Sequence, residues 1–580
     1  MLSRNIAGRI PARIRPVQPF RHPRLQSLRP FTHRTRLQIS PPSGRPQLPF
    51  LSPQPLSRPI PPLSSHLCKH FGRLVSTTSR EHYKKRISYT VKTTLTLSAI
   101  FFLFSIVKLG IYQEDIEHQW PSPPEWSLKS RWCLRSAQAL QHPQYTGHLL
   151  TDWPMVAGYL HELIKRLENI EGEGAGIIEQ GDGGFLVEGV GKTGLDISEK
   201  SEPWRRGYFQ ALLGAAKAAE NLEGWVTDKK QRVSAPAEHV IGPSNPRPKP
   251  MPAAANYVMH EEDCEPASPP PEKYYMKILT TNGFDTKQKV EAALAYADWL
   301  DYKGLGRTAG DMYVWALDIA AGGIESGADK LVDLKTGILK NTSPQPPSEN
   351  LIRVSTALAV HSARQGDLPA ALSLFTSVLK AWRSIPLEQN DSTLTPPPQG
   401  NNPLGPIFKL FSTVFIPVEY PPAAPSGNDP PTRKTGSICH EAGLMTYIGE
   451  ILFASSSRDQ GLAWTRDAVE MAESTLTELH GSPDNDSRGR CAQCLKVGLD
   501  NWRTMVSSLV ARAREEQAES VQSAKKAWYG GASQAQTKTE ELRRWEAERE
   551  ILQDRIDSVF PLIDGEGGLD TLTGGSSLFV

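Results

Sequence analysis

Between Lys92 and Lys108 the chain carries fifteen consecutive uncharged residues, TTLTLSAIFFLFSIV. A fifteen-residue α-helix rises about 22 Å, short of the roughly 30 Å of a bilayer core. Taken alone, the run fits a buried core helix. Its flanks change the reading. Lys92 and Lys108 can snorkel toward the two interfaces, and the uncharged residues 88–91 and 109–113 lengthen the stretch. Tyr89 and Tyr112 fall where aromatic belts form. The run is apolar on every side and leaves no stripe for water. The expectation is a transmembrane helix over 88–112, with a core helix as the alternative.

Beyond a rigid spacer, WPSPPEW, the apolar positions recur at helical spacing in segments joined by Pro-rich loops, and no run alternates convincingly as a strand does. The most informative segment is KVEAALAYADWLDYKGLGRTAGDMYVWALDIA, two apolar runs broken at YKGLG. Small residues belong where two helices cross closely, and large ones fill the spaces between. Here Ala297 and Ala309 lie twelve apart, followed by Tyr313 and Ala316. The same offsets return at Ala359, Ala371, Phe375 and Val378, and again at Gly449, Gly461, Thr465 and Ala468, with Thr465 weak at the large position. This spacing resembles the tetratricopeptide repeat, and its recurrence distinguishes it from an ordinary amphipathic hairpin.

The predicted fold is all-α, a helical-hairpin solenoid of tetratricopeptide type with one N-terminal transmembrane helix and a disordered presequence. In order, the chain reads as a transit peptide over 1–80, the span over 88–112, degenerate hairpins over 121–228 and a Pro-rich linker over 229–273. Repeats follow over 274–384, then a Pro-rich insert over 385–437 and a further repeat with its following helix over 438–528. A capping helix over 529–562, with Leu542, Trp545, Leu552, Ile556 and Val559 on one face, precedes a disordered tail over 563–580. Within the second insert the apolar run PIFKLFSTVFIPV (406–418) is too short to span a bilayer. It is read as a lid packed on the solenoid or as a membrane-touching element.

Charge assigns an address. The first 86 residues hold 17 of the 65 Lys and Arg and one of the 63 acids, so the rest carries 48 basic against 62 acidic side chains. A basic head on an acidic body is unlike a nucleic-acid binder, whose cations sit in the folded part. The first 80 residues contain thirteen Arg, one Lys, no Asp or Glu, and many Ser, the composition of a mitochondrial transit peptide. A cut near GRLVS (72–76) fits that reading. HYKKR precedes the span and QEDIEHQW follows it. The cationic end stays on the matrix side, which places the C-terminal body in the intermembrane space.

Motifs with catalytic overtones are weak. GVGKTG (189–194) lacks the first Walker glycine, since Leu186 occupies its place, and is read as a flexible loop. Cys491 and Cys494 form a lone CxxC near the start of an amphipathic helix. Core cysteines are the plain reading, and a structural disulfide or a thiol oxidoreductase are the others. A metal would need further ligands, and no spacing selects Cys439, His440 or His480 for that role. HEEDC (260–264) lacks a second metal-spaced His. No cofactor is expected.

The span YTVKTTLTLSAIFFLFSIVKLGIY and the repeat ALAYADWLDYKGLGRTAGDMYVWALDIA, with the basic head and acidic body, resemble the tetratricopeptide-repeat adaptor subunits of the mitochondrial i-AAA protease complex of fungi. The long Pro-rich inserts depart from that pattern. The resemblance implies a non-enzymatic inner-membrane adaptor. It would bind unfolded client polypeptides and hand them to the AAA protease beside a second adaptor. Client-facing positions carried over from the repeat are Asp298, Asp301 and Tyr302, then Arg353, Val360 and Arg364, then Tyr447, Glu450 and Phe453. The rival readings are an import receptor or assembly scaffold built of the same repeats, and an oxidoreductase using Cys491 and Cys494.

Overall fold

The computed structural model describes residues 77–147, 150–179, 186–187, 191–192, 194–250, 258–324, 327–340, 345–387, 419–455, 457–480, 484–526 and 531–564. Most of the presequence, the apolar run 406–418 and the C-terminal tail from 565 lie outside them. By internal contacts the chain divides into a unit ending at Ala99 and a unit beginning at Ile100.

In the first unit the described residues form the beginning of one long helix, α1 (Thr77–Gln119). Leu95 and Leu97 are about two-thirds exposed, 65% and 66%. Four threonine hydroxyls of this stretch are satisfied within the helix. Thr90, Thr93, Thr94 and Thr96 each donate a hydroxyl hydrogen bond to the carbonyl four residues back, at 2.7–3.0 Å. In the second unit the apolar surface continues through Ile100, Phe101, Phe102, Leu103, Phe104 and Ile106, all more than 60% exposed. Ser105 donates back to Phe101 at 2.8 Å. Keeping such side chains in water costs about 2 kcal/mol each, whereas a helix whose hydrogen bonds are all internal is at home in lipid. α1 is long and apolar enough to cross a membrane, and its most apolar window has no part buried in protein.

The body that follows is mostly helical. A first hairpin pairs α2 (Leu128–Ala139) with α4 (Trp153–Leu167), with a single turn, α3 (Pro143–Thr146), between them. Next come α5 (Glu202–Asn221) and α6 (Pro271–Thr280). Three further hairpins follow: α7 (Thr286–Tyr302) with α8 (Gly306–Gly322), α10 (Glu349–Arg364) with α11 (Leu368–Ser384), and α12 (Ile438–Ala454) with α13 (Arg458–Glu478). A short α9 (Ala328–Leu331) lies between the first two of these. Two long helices, α14 (Asn485–Lys526) and α15 (Gly531–Asp564), complete the described fold.

The three repeat segments coincide with these three hairpins, and the small residues sit at the crossings. Ala297, Ala309, Ala359 and Ala371 are fully buried. At Gly449 and Gly461 the backbones nearly touch: a Cβ on Gly461 would lie 2.5 Å from the Gly449 carbonyl oxygen and 2.5 Å from the Phe453 nitrogen. Side chains then join one hairpin to the next. Tyr313 of α8 packs on His361 of α10, with ring centroids 4.9 Å apart. Phe375 of α11 stacks on Tyr447 of α12 at 5.3 Å. The C-terminal helix is more than a cap: Leu542, Trp545, Leu552 and Val559 are buried and Ile556 partly so, in a cluster shared with α14.

Two stretches differ from expectation. The linker 229–273 carries structure: β5 (Trp225–Asp228) pairs antiparallel with β6 (Ser234–Pro236) and with β7 (Cys264–Pro266). Earlier in the chain, β1 (Ile178–Glu179) pairs antiparallel with β4 (Leu195–Asp196), and between them in sequence β2 (Leu186–Val187) pairs antiparallel with β3 (Gly191–Lys192). The far end of the second insert is also fixed. The Gly427 and Asp429 carbonyls accept from the Asn350 and Glu349 backbone N–H groups, both at 3.0 Å, and so satisfy donors that the first turn of α10 leaves open.

Candidate functional site

The nine positions carried over from the repeat pattern lie on the first helices of three hairpins, but they do not form one open surface. Asp298 and Asp301 on α7 meet Arg364 on α10. The guanidinium lies 2.6 Å from Asp298 and 4.0 Å from Asp301. Asp301 is deeply buried, its side chain 3% exposed, and also faces His361 Nδ1 at 2.8 Å and the Tyr313 hydroxyl at 3.4 Å. Burial, then the charges of Asp301 and Asp298, push the Tyr313 phenol well above its ordinary value.

This group resembles a catalytic Asp–His pair in outline only. The other imidazole nitrogen, Nε2, is 3.3 Å from where a Cβ on Gly310 would stand, so it meets helix α8. What the cluster does is close the joint between consecutive hairpins. Arg353 joins a different pair, 3.9 Å from Glu291. Val360 packs on the main core and Tyr447 lies on Phe375. Phe453 packs on the second cluster. Glu450 is exposed, 3.4 Å from the Asn501 amide, and Tyr302 stands out at 87% exposed.

The cysteines are arranged otherwise than the CxxC spacing implied. Cys491 forms a disulfide with Cys439, 52 residues earlier, which ties the start of α12 to α14. Cys494 is a free buried thiol whose Sγ donates to the Cys439 carbonyl at 3.2 Å. Cys491 and Cys494 are therefore not a dithiol–disulfide couple, because the Cys491 sulfur is bonded to Cys439 on a facing helix and Cys494 remains a free thiol. Burial pushes the Cys494 thiol up to about 12. Cys494 is accordingly expected to resist N-ethylmaleimide at pH 7.5 in the native chain and to react only after unfolding. Peptide mass mapping checks this, and native modification would place a thiolate where burial disfavours one.

The phosphate-loop candidate has its Lys192 on β3, and α5 begins only at Glu202, so among the described residues no helix N-terminus directly follows it to bind an anion. Among the described residues no group of His, Cys, Asp or Glu is placed to hold a metal ion.

Among the described residues, an apolar surface lies open on the first hairpin. Its geometry is set by the end of α1. Ile116 is fully buried. Glu117, 3% exposed, accepts from the Ser122 hydroxyl at 2.7 and 2.9 Å and from Arg131 at 2.8 Å, and pairs with Arg135. The Tyr145 hydroxyl lies 2.9 Å from Asp115 and 2.8 Å from Gln119, and Trp120 stacks on His142 at 4.2 Å. These contacts hold α2 and α3 against the last turns of α1. On the other side of α2, Leu128, Trp132, Met155, Gly158 and Tyr159 line a groove of about 900 Å³ that is open among the described residues. Leu128 is 82%, Trp132 38% and Met155 50% exposed. The sequence signal for it was an apolar residue on the wrong side: α4 already buries Val156, Leu160, Leu163 and Ile164 on its core face, and Met155 is surplus to that stripe.

No protein-family model matches this chain, and neither does any curated protein or any solved structure.

Proposed function

We propose that this chain is a non-enzymatic, single-pass adaptor of the mitochondrial inner membrane. Its N-terminus lies in the matrix, and its tetratricopeptide-like solenoid, in the intermembrane space, passes unfolded polypeptides to an AAA protease beside a second adaptor. The observation that carries the reading is α1, apolar on all sides over its middle and with its hydroxyls bonded internally, continued at its C-terminal end into buried contacts with a helical-hairpin body. Such a helix is an anchor, and a body of stacked helical hairpins is a scaffold suited to binding polypeptides. The disulfide between Cys439 and Cys491 supports an oxidising compartment for the body. That favours the intermembrane space over a cytosolic import receptor. The basic, acid-free head supplies the mitochondrial address.

The test is purification from mitochondria solubilised in mild detergent. A hexameric AAA protease is expected to co-purify with the chain. Translocase subunits in its place would shift the assignment to import. Extraction of the chain by alkaline carbonate would end the membrane reading altogether.

A further inference from the structure

Residues 419–433, the far part of the second insert, run without helix or strand past the N-terminal turns of α5, α7, α10 and α12. At α5, the Arg206 guanidinium donates to the Pro421 and Pro422 carbonyls at 2.7 and 3.1 Å. The same guanidinium lies 4.5 Å from the centroid of the Tyr420 ring. At α10, the buried Asn350 amide donates to the Ser426 carbonyl at 3.0 Å and to the Asn428 side chain at 3.1 Å. The Asn428 amide in turn donates to the Thr286 hydroxyl at the start of α7, at 3.4 Å. Arg433 pairs with Glu441 on α12.

This segment is held as a ligand is held, not as a core element is. None of its side chains belongs to the buried apolar clusters of the described residues, and a segment with so few buried apolar contacts opens at low cost. What the body grips is main chain. Arg206 and Asn350 hold carbonyls, and Pro421 and Pro422 have no N–H to offer a sheet edge. Proline also keeps Tyr420, Pro421 and Pro422 extended, the pre-ordering that makes Pro-rich segments good ligands. The two ends are held unequally. Residues 421–425 are exposed, and this head is tied down through Arg206 and a 3.5 Å bond from the Tyr420 hydroxyl to the Pro203 carbonyl. The root is braced by Glu441 and, just after it, by the Cys439–Cys491 disulfide. Arg206 also pairs with Glu202 at 3.0 Å, so its charge keeps a partner when the head lifts.

We propose that residues 419–430 are the built-in occupant of a peptide-binding face centred on Arg206 and Asn350. An extended segment of another polypeptide, an aromatic residue followed by prolines, takes their place when the head lifts from its root. The face is therefore closed in the resting chain. This goes beyond the adaptor reading and depends on neither the membrane nor the protease. Gly427 sets the register of the occupant. Its φ is +73°, and a Cβ there would collide with the Asn350 side chain.

The test uses the full chain in detergent micelles and a fluorescein-labelled synthetic peptide of residues 419–430, EYPPAAPSGNDP, followed by fluorescence anisotropy. Tyr420→Ala together with Gly427→Val loosens the built-in segment and leaves the face intact. The peptide is expected to bind this variant about tenfold more tightly than the unaltered chain. Adding Arg206→Ala should cancel the gain. Equal affinity for the double variant and the unaltered chain, or a gain that survives Arg206→Ala, overturns the proposal. Arg206→Ala alone covers the case in which the double variant misfolds. Elastase cuts after small residues, and its cleavage after Ala423, mapped by mass spectrometry, should rise about tenfold as the head is released. Unchanged cleavage there would mean that Arg206 does not hold the segment, and would overturn the proposal as well.

Discussion

Gly461→Val is expected to destabilise the α12–α13 hairpin by about 3 kcal/mol, the upper end for forcing atoms into a packed site. The cost follows from what a side chain would meet. The Gly461 Cβ position lies 2.5 Å from a backbone carbonyl oxygen and 2.5 Å from a backbone nitrogen on the facing helix. Neither can rotate away as a flexible side chain would, so the helices must part. Parting them strips contacts from Leu462, Val469 and Ile448, which are buried beside the crossing. Gly158→Ala is the matched control. It also sits inside a helix, but its Cβ meets nothing, and the helical preference of alanine should make it neutral or stabilising by up to about 1 kcal/mol. The midpoint of heat unfolding of the detergent-solubilised chain, followed by circular dichroism, checks both. An unchanged midpoint for Gly461→Val would mean that the two helices do not cross there.

That prediction depends on a feature that was legible in the sequence. The twelve-residue interval between small residues is a steric requirement of a close crossing, so it is visible wherever it recurs. It located α7–α8, α10–α11 and α12–α13. The membrane-length helix was legible for a similar reason, since apolar residues on all sides leave no face for water. The strands around residues 225–266 were not. They are three or four residues long, too short for a period of two to register. Asp228 holds their turn by accepting from the Lys230 and Gln231 N–H groups at 2.6 and 2.9 Å, a local bond that a Pro-rich composition conceals.

The site was less legible than the fold. A repeat pattern says which positions face a neighbouring hairpin or a concave surface. It does not say whether they are used up by one another. Asp298 and Asp301 find Arg364 and His361 66 and 60 residues away, and only coordinates bring those partners together. Cys439 and Cys491 are hidden in the same way: their separation of 52 residues carries no signal, whereas Cys491-x-x-Cys494 looks like a motif and is not one. The groove on the first hairpin was missed because its residues belong to three elements, and because an exposed Trp or Met is unremarkable until its neighbours are exposed as well.

Glu117→Ala is expected to release the first hairpin from the end of α1, at a local cost of about 3 kcal/mol. Removing one member of a buried charge group costs about 3–5 kcal/mol, because its partners remain buried without compensation. The lower figure applies because Arg131 keeps a quarter of its side chain exposed, although Arg135 keeps only 11%. Ser122 loses an acceptor for both its N–H and its hydroxyl, which Glu117 now holds at 2.7–3.0 Å. Glu117→Gln keeps the shape and one acceptor oxygen and should fall between the two. Hydrogen–deuterium exchange on the full chain in nanodiscs checks the effect by position. Protection should drop over α2 and the segment 120–127 and stay unchanged over α14 and α15, whose core is a separate cluster. If α2 stays protected in Glu117→Ala, the anchor helix and the hairpin are held together chiefly by Ile116 and the Tyr145–Asp115–Gln119 contacts, and the buried charge group is not the joint.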